Sequence, residues 1–276
     1  MACYICNTCG SQFSETPEPP IACPICEDER QYVPASGQTW TTHESMKRRF
    51  TNTFRLHEQN LLGIGTVPSF GIGQRALLVR TPEGNVLWDC TSLVDDATVE
   101  IINALGGLKA ISISHPHYYS SMVEWSHAFG KAPIYLPAAD RQWIMRKDPV
   151  IQLWEGDTYQ VTPDITLIRC GGHFAGGLVM HWSKGREGRG CLLTGDVIMV
   201  TSDRKSVSFM RSYPNLIPLS APSIRRIVSM TDPFDYDAVY GPFFDRVIPQ
   251  RGKDTVRRCA ARYLAAIEGD GSAEMK

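Results

Sequence analysis

Two groups of residues in this 276-residue chain have the types and spacing of metal ligands. The first comprises Cys6-Asn7-Thr8-Cys9-Gly10 and Cys23-Pro24-Ile25-Cys26, two C-x-x-C pairs separated by a polar, proline-containing stretch. Such a turn aims two thiolates at one point, and a following glycine can adopt the left-handed backbone that folds N–H groups toward sulfur. Gly10 meets that need and Glu27 does not. Cys3 also stands at C-x-x-C spacing from Cys6, so five thiols compete for four positions, of which Cys6, Cys9, Cys23 and Cys26 are the expected set. Tetrahedral four-thiolate sites most often hold structural zinc, the ion expected here. Iron is the alternative, and it would turn the same thiolates into a one-electron carrier. Between the pairs the only large apolar residues are Phe13 and Ile21, so a bound ion is expected to supply much of the segment's folding energy.

The second group is scattered. His115-Pro116-His117 follows an apolar run directly, Gly171-Gly172-His173 follows another, and Gly195-Asp196 follows a third. Alternate residues at a strand end can turn two imidazoles toward one ion, and three histidines with one carboxylate suit zinc or iron in four- or five-coordination.

Positioning these residues requires strands that end where the ligands begin. Strands are expected at 61–67, 75–80 and 86–89, with Pro82-Glu83-Gly84-Asn85 as a hairpin turn, and at 110–114, 133–136, 166–170, 177–182, 191–194 and 238–240. Helices are expected from Asp95-Asp96, as cap, to Leu105, and at 122–129, 138–146, 222–230 and 251–267, with residues 269–276 frayed. The composition changes near Ser36-Gly37, so residues 1–37 are read as a four-cysteine knuckle and 38–276 as the main domain.

The knuckle pattern resembles zinc ribbons and rubredoxin-like knuckles. Over roughly residues 55–250 the chain resembles the metallo-β-lactamase superfamily: Asp89 in Leu87-Trp88-Asp89-Cys90-Thr91 matches the first-motif aspartate, His115 and His117 the second motif, His173 the third and Asp196 the fourth. The resemblance implies an α/β fold, the αββα metallo-β-lactamase sandwich, behind the N-terminal four-cysteine knuckle. It implies His115, His117, His173 and Asp196 as metal ligands with Asp89 supporting. The family's second motif reads H-x-H-x-D-H, whereas Tyr119 and Ser120 stand here for the aspartate and the second histidine, and Ala238-Val239-Tyr240 lacks the fifth-motif histidine. One ion is therefore expected, zinc or iron, with Tyr118, Tyr119 and Ser120 bordering a substrate pocket.

Three functions follow. The first is a mononuclear metal-dependent hydrolase acting on a small molecule. The second is a non-haem iron oxygenase or redox protein of the same fold, with His115, His173 and Asp196 as a two-histidine, one-carboxylate face. The third is a non-catalytic metal-binding or interaction module. Near-balance of 28 basic and 29 acidic residues gives no global field for nucleic acid or anionic membrane. No signal-like or membrane-length apolar run is visible, and a soluble, cytoplasmic protein is expected. His43, His57, His127 and His181 lack ligand spacing and read as surface or satisfied core residues, and Cys90, Cys170, Cys191 and Cys259 as small buried positions. Asp203-Arg204-Lys205 reads as a solvated turn and Tyr213 as ordinary packing.

Overall fold

The computed structural model describes residues 1–269, which form two compact units divided between Glu155 and Gly156. Among the described residues no helix is long and apolar enough to cross a membrane.

The first unit is built on a seven-stranded sheet whose strands follow chain order: Thr51–Glu58, Leu61–Val67, Ala76–Val79, Val86–Trp88, Ala110–Ser112, Ile134–Pro137 and Ile151–Trp154. The first four are joined by short turns and pair antiparallel. The remaining pairings are parallel, as they must be where a helix carries the chain back between strands. Those helices are Asp96–Ala104, whose cap Asp95 accepts the Thr98 N–H at 2.8 Å, Met122–Ala128 and, before the last strand, the 3₁₀ helix Ala138–Trp143. Leu78, Leu87, Ile111 and Ile134 of the sheet pack with Ile102, Val123 and Trp125 into one buried core. Central strands buried throughout carry continuous apolar runs, which is why they were readable. The edge strand Thr51–Glu58 was not, because six of its eight residues are polar and only Asn52 is buried.

One expectation fails. Residues 138–143 form a 3₁₀ helix that stops at Ile144 with extended backbone (φ −82°, ψ 98°), instead of an α-helix to Arg146. The turn away from helix lets Trp143 and Met145 pack against the four cysteines. That tertiary contact outweighs the local helical preference of the run.

The cysteine segment is part of the same compact unit. Its strand Tyr4–Cys6 pairs antiparallel with Trp40–Thr42, and Phe13 meets Trp40 edge to face at 5.0 Å. Ile21 is fully exposed, so the apolar cover comes instead from Phe13, Trp40, Ile72, Trp143 and Met145. The segment therefore draws part of its stability from side chains remote in sequence, as well as from any ion.

A polar clamp adds to this contact. Arg146 donates to Gln12 Oε1 and, at 2.6 Å, to Glu124 Oε1. Burial by itself would raise the Glu124 carboxyl, but the Arg146 hydrogen bond and charge and the Gln12 hydrogen bond outweigh it, so its pKa falls below the ordinary 4.5. A carboxylate with a lowered folded-state pKa stabilises fully above its unfolded value and loses that contribution as pH falls through the lowered one. The urea-midpoint advantage of the wild type over Glu124→Gln is thus expected near neutrality, should begin to decline as the pH drops below about 4.5, and should vanish only once the pH is under the lowered folded-state value. An advantage unchanged in acid would show that the clamp does not carry it.

The second unit is a six-stranded sheet, again in chain order: Thr158–Thr162, Ile165–Arg169, Leu178–Trp182, Cys191–Leu193, Ala238–Tyr240 and Val247–Ile248. Only Cys191–Leu193 and Ala238–Tyr240 pair parallel, with the helix Ala221–Thr231 between them in the chain. That helix and Gly252–Glu268 lay Ile224, Ile227, Val256 and Cys259 against Ile168, Val179, Leu192 and Val239. Gly269, within the stretch expected to fray, caps the last helix in left-handed conformation (φ 79°), and residues 270–276 lie outside the described residues.

Candidate metal centres

Cys6, Cys9, Cys23 and Cys26 converge with their sulfurs all within 4.8 Å of one another, and Cys3 stays outside the group. Cys6 and Cys26 are 3.6 Å apart and Cys9 and Cys23 3.7 Å, far beyond a disulfide. A tetrahedral ion with metal–sulfur bonds of about 2.3 Å requires sulfur–sulfur edges of roughly 3.8 Å, which these separations match. All four thiols are at most 1 % exposed. The Gly10 N–H donates to Cys6 O at 2.9 Å, and Gly10 takes the left-handed conformation expected of it (φ +82°). A Cβ there would lie 2.5 Å from Ser92 Oγ, so the position is closed to side chains for two reasons. Gln38 Nε2 donates to Cys6 Sγ at 3.0 Å. Hydrogen bonds from Cys23, Cys26 and Cys9 push the Cys6 thiol down, while the Cys23 contact pushes Cys9 and Cys26 up. Such crowding favours thiolate at one sulfur at the expense of its neighbours, and only a cation among them can hold all four as thiolates.

In the first unit, the strand Ala110–Ser112 delivers the histidine pair. Asp89, itself in left-handed backbone (φ 60°), donates its N–H to Ser112 O at 2.9 Å and accepts the Ser114 N–H at 2.7 Å on Oδ1. The strand end is thereby fixed one residue before His115. Nδ1 of His115 hydrogen-bonds Ser114 Oγ at 2.9 Å, which directs Nε2 away from the strand. The 3₁₀ turn Pro116–Tyr118 then brings the His117 ring to 5.1 Å from that of His115, and a ligand nitrogen of each lies within 4.8 Å of the other. Both histidines are at most 2 % exposed.

Tyr118 lies against the His115 ring, centroids 4.3 Å apart. Tyr119 and Ser120 face the cysteine segment, lining a narrow crevice with Ser11, Gln12, Trp143 and Met145. Burial, and then the charge of Asp140, push the Tyr119 phenol well above its usual range.

In the second unit, the turn Gly171-Gly172 (φ 70° and 86°) presents His173, whose Nδ1 lies 3.1 Å from Met210 O. A carbonyl only accepts, so Nδ1 carries the proton and Nε2 is the ligand atom. A Cβ at Gly172 would lie 2.9 Å from Ile227, another reason for glycine at that bend. Asp196 follows Gly195, and its main-chain oxygen accepts a hydrogen bond from the Tyr213 hydroxyl at 3.2 Å. A His173 nitrogen and an Asp196 carboxylate oxygen lie within 4.8 Å of one another. Tyr213, expected as packing only, thus fixes the Asp196 backbone. Ser114, Met210 and Tyr213 carry no spacing signal, since their roles come from contacts across the fold.

The other histidines have ordinary partners. His43 accepts the Val94 N–H at 2.9 Å, His127 pairs with Asp148 at 3.0 Å, His181 contacts Asp235 O at 2.8 Å, and His57 meets Arg75. Cys90, Cys170, Cys191 and Cys259 are buried. Asp203 Oδ1 closes its own turn with Thr201 and the Lys205 N–H, and the strand Ala238–Tyr240 offers no imidazole.

The chain is 48% identical over 272 residues, 98% of each partner, to "Uncharacterized protein YmaE" of Bacillus subtilis (strain 168). Among solved structures it is similar to VMB-1, with a TM-score of 0.58 and 13% identity over 78% of this chain and 98% of that one. The DIM-1 metallo-β-lactamase gives a TM-score of 0.57 at 12% identity, over 78% and 97%. No protein-family model matches the chain.

Proposed function

The chain belongs to the family of the B. subtilis protein YmaE and has the αββα metallo-β-lactamase fold, and from that premise we propose that it is a mononuclear metal-dependent hydrolase. In this reading His115, His117, His173 and Asp196, matched in order to the family's motifs, hold one ion, with Asp89 supporting. A second ion, zinc, is held structurally by Cys6, Cys9, Cys23 and Cys26.

The observation that carries the proposal is the donor set itself. Two buried pairs of ligand residues stand at strand and turn ends, each braced by hydrogen bonds to its own unit. Zinc bound by such a set supplies an acidified water and polarises an ester, thioester, amide or phosphoester oxygen. The residues do the rest. Met210 and Ser114 fix the rings of His173 and His115, and Asp89 keeps the Ser114–His115 corner from shifting. Bracing of this kind holds ligands in place before any ion arrives. The family pattern's aspartate and second histidine are Tyr119 and Ser120, which supports one ion in this set rather than two.

Element-resolved metal analysis of the full-length protein, purified without added metal, tests the proposal together with a screen of chromogenic ester, thioester and phosphoester substrates. The expected result is one zinc for each of the two ligand groups, with turnover that chelation abolishes. Iron outside the cysteine group, with oxygen consumption on sulfur substrates, would replace the hydrolase by an oxygenase. Metal in the cysteine group alone would leave a binding module.

A further inference from the structure

Ser120 sits three residues beyond His117 with left-handed backbone (φ 42°), a conformation that is strained for a non-glycine residue and persists only where surroundings enforce it. Two contacts enforce it. The main-chain oxygen of Ser120 accepts the Gln12 N–H at 3.0 Å, and its hydroxyl accepts Gln74 Nε2 at 2.9 Å, while the same Gln74 nitrogen reaches Cys90 O at 3.0 Å. Gln12 lies three residues after Cys9, and Gly10, which closes that C-x-x-C turn, accepts the Ser92 hydroxyl at 2.8 Å. Ser11, Gln12, Gln74, Ser92 and Ser120 are all buried, so none of these bonds is readily exchanged for water.

We infer that the four-cysteine site is a positioning device for the histidine pair: the folded thiolate turn holds Gln12 and Gly10 against Ser120 and Ser92 and so keeps the His115–Ser120 loop in its ligating shape. The inference rests on the proposed function for the existence of both ions. Without an ion the buried thiols separate, Gln12 leaves Ser120, and the strained residue relaxes with the loop that carries His117. Occupancy of the cysteine site then raises affinity at the histidine set, and by linkage the reverse holds by the same factor.

The test uses the full chain, stripped of metal and titrated with cobalt(II). Thiolate charge-transfer absorption reports the cysteine site, and ligand-field bands of a nitrogen–oxygen site report the histidine set. In Cys23→Ser/Cys26→Ser the thiolate band is lost, and the histidine set is expected to bind cobalt about 10-fold or more weakly with altered ligand-field bands. Gln12→Pro leaves the thiols intact and removes the N–H that the Ser120 main-chain oxygen accepts, so the thiolate band should persist while the histidine-set affinity again falls. Hydrogen exchange of residues 115–121 should accelerate in both variants. The second variant decides the matter if the first fails to fold. Wild-type affinity and bands at the histidine set in Gln12→Pro, or an equal loss in Gln12→Ala, which keeps the N–H, would overturn the inference. Wild-type protein that binds no cobalt outside the thiolates would instead sink the proposed function.

Discussion

Exchange of Cys23 and Cys26 for serine is expected to remove one metal ion per chain and to melt the cysteine segment, destabilising the protein by roughly 5 kcal/mol or more. Structural zinc contributes on the order of 10 kcal/mol to small cysteine-rich folds, and only part of that is replaced here by tertiary packing. That packing is real: Phe13, Trp40, Ile72, Trp143 and Met145 cover the thiols. Yet the sulfurs themselves occupy the centre of the cluster, at most 1 % exposed, and unligated polar serines there have no partners. The urea midpoint and hydrogen exchange of residues 2–42 measure the effect. An unchanged midpoint alongside the loss of one ion would mean that side-chain packing alone holds the segment.

His173→Ala is expected to remove the ion outside the cysteine group and to lower turnover by on the order of a thousandfold or more, because acidification of the attacking water depends on that ion. The fold should survive. The histidine's structural bond, Nδ1 to Met210 O, contributes about 1 kcal/mol, and the turn that presents it is set by Gly171 and Gly172. Metal content of the variant, its urea midpoint and its turnover of the substrate identified by screening separate these effects. His127→Ala serves as the control, since its partner is Asp148 and its ring makes an ordinary ion pair. Full turnover in His173→Ala would remove His173 from the chemistry.

Most of the proposed ligand residues were legible in sequence because each stands at a boundary that leaves a local mark. Apolar runs end at His115, His173 and Asp196, glycines precede the latter two, and C-x-x-C spacing marks the thiols. The preference for Cys6 over Cys3 could also be made, since Gly10 follows Cys9; that a Cβ at Gly10 would lie 2.5 Å from Ser92 Oγ is a reason only the structure supplies. The edge strand Thr51–Glu58 and the 3₁₀ turn at 138–143 were not legible, because partners distant in the chain decide them.

The sequence alone therefore determined the types and order of the proposed ligands and the α/β succession of elements that carries them, all of which are short-range consequences of residue chemistry and periodicity. Only the tertiary structure decided what holds those ligands still. Asp89 beneath Ser114, Met210 behind His173, Tyr213 on Asp196 and Gln12 on Ser120 are pairings across 17 to 108 residues of chain. Hydrogen bonds of that kind carry no period or spacing, since either partner is free to sit anywhere in the chain provided that folding closes the distance.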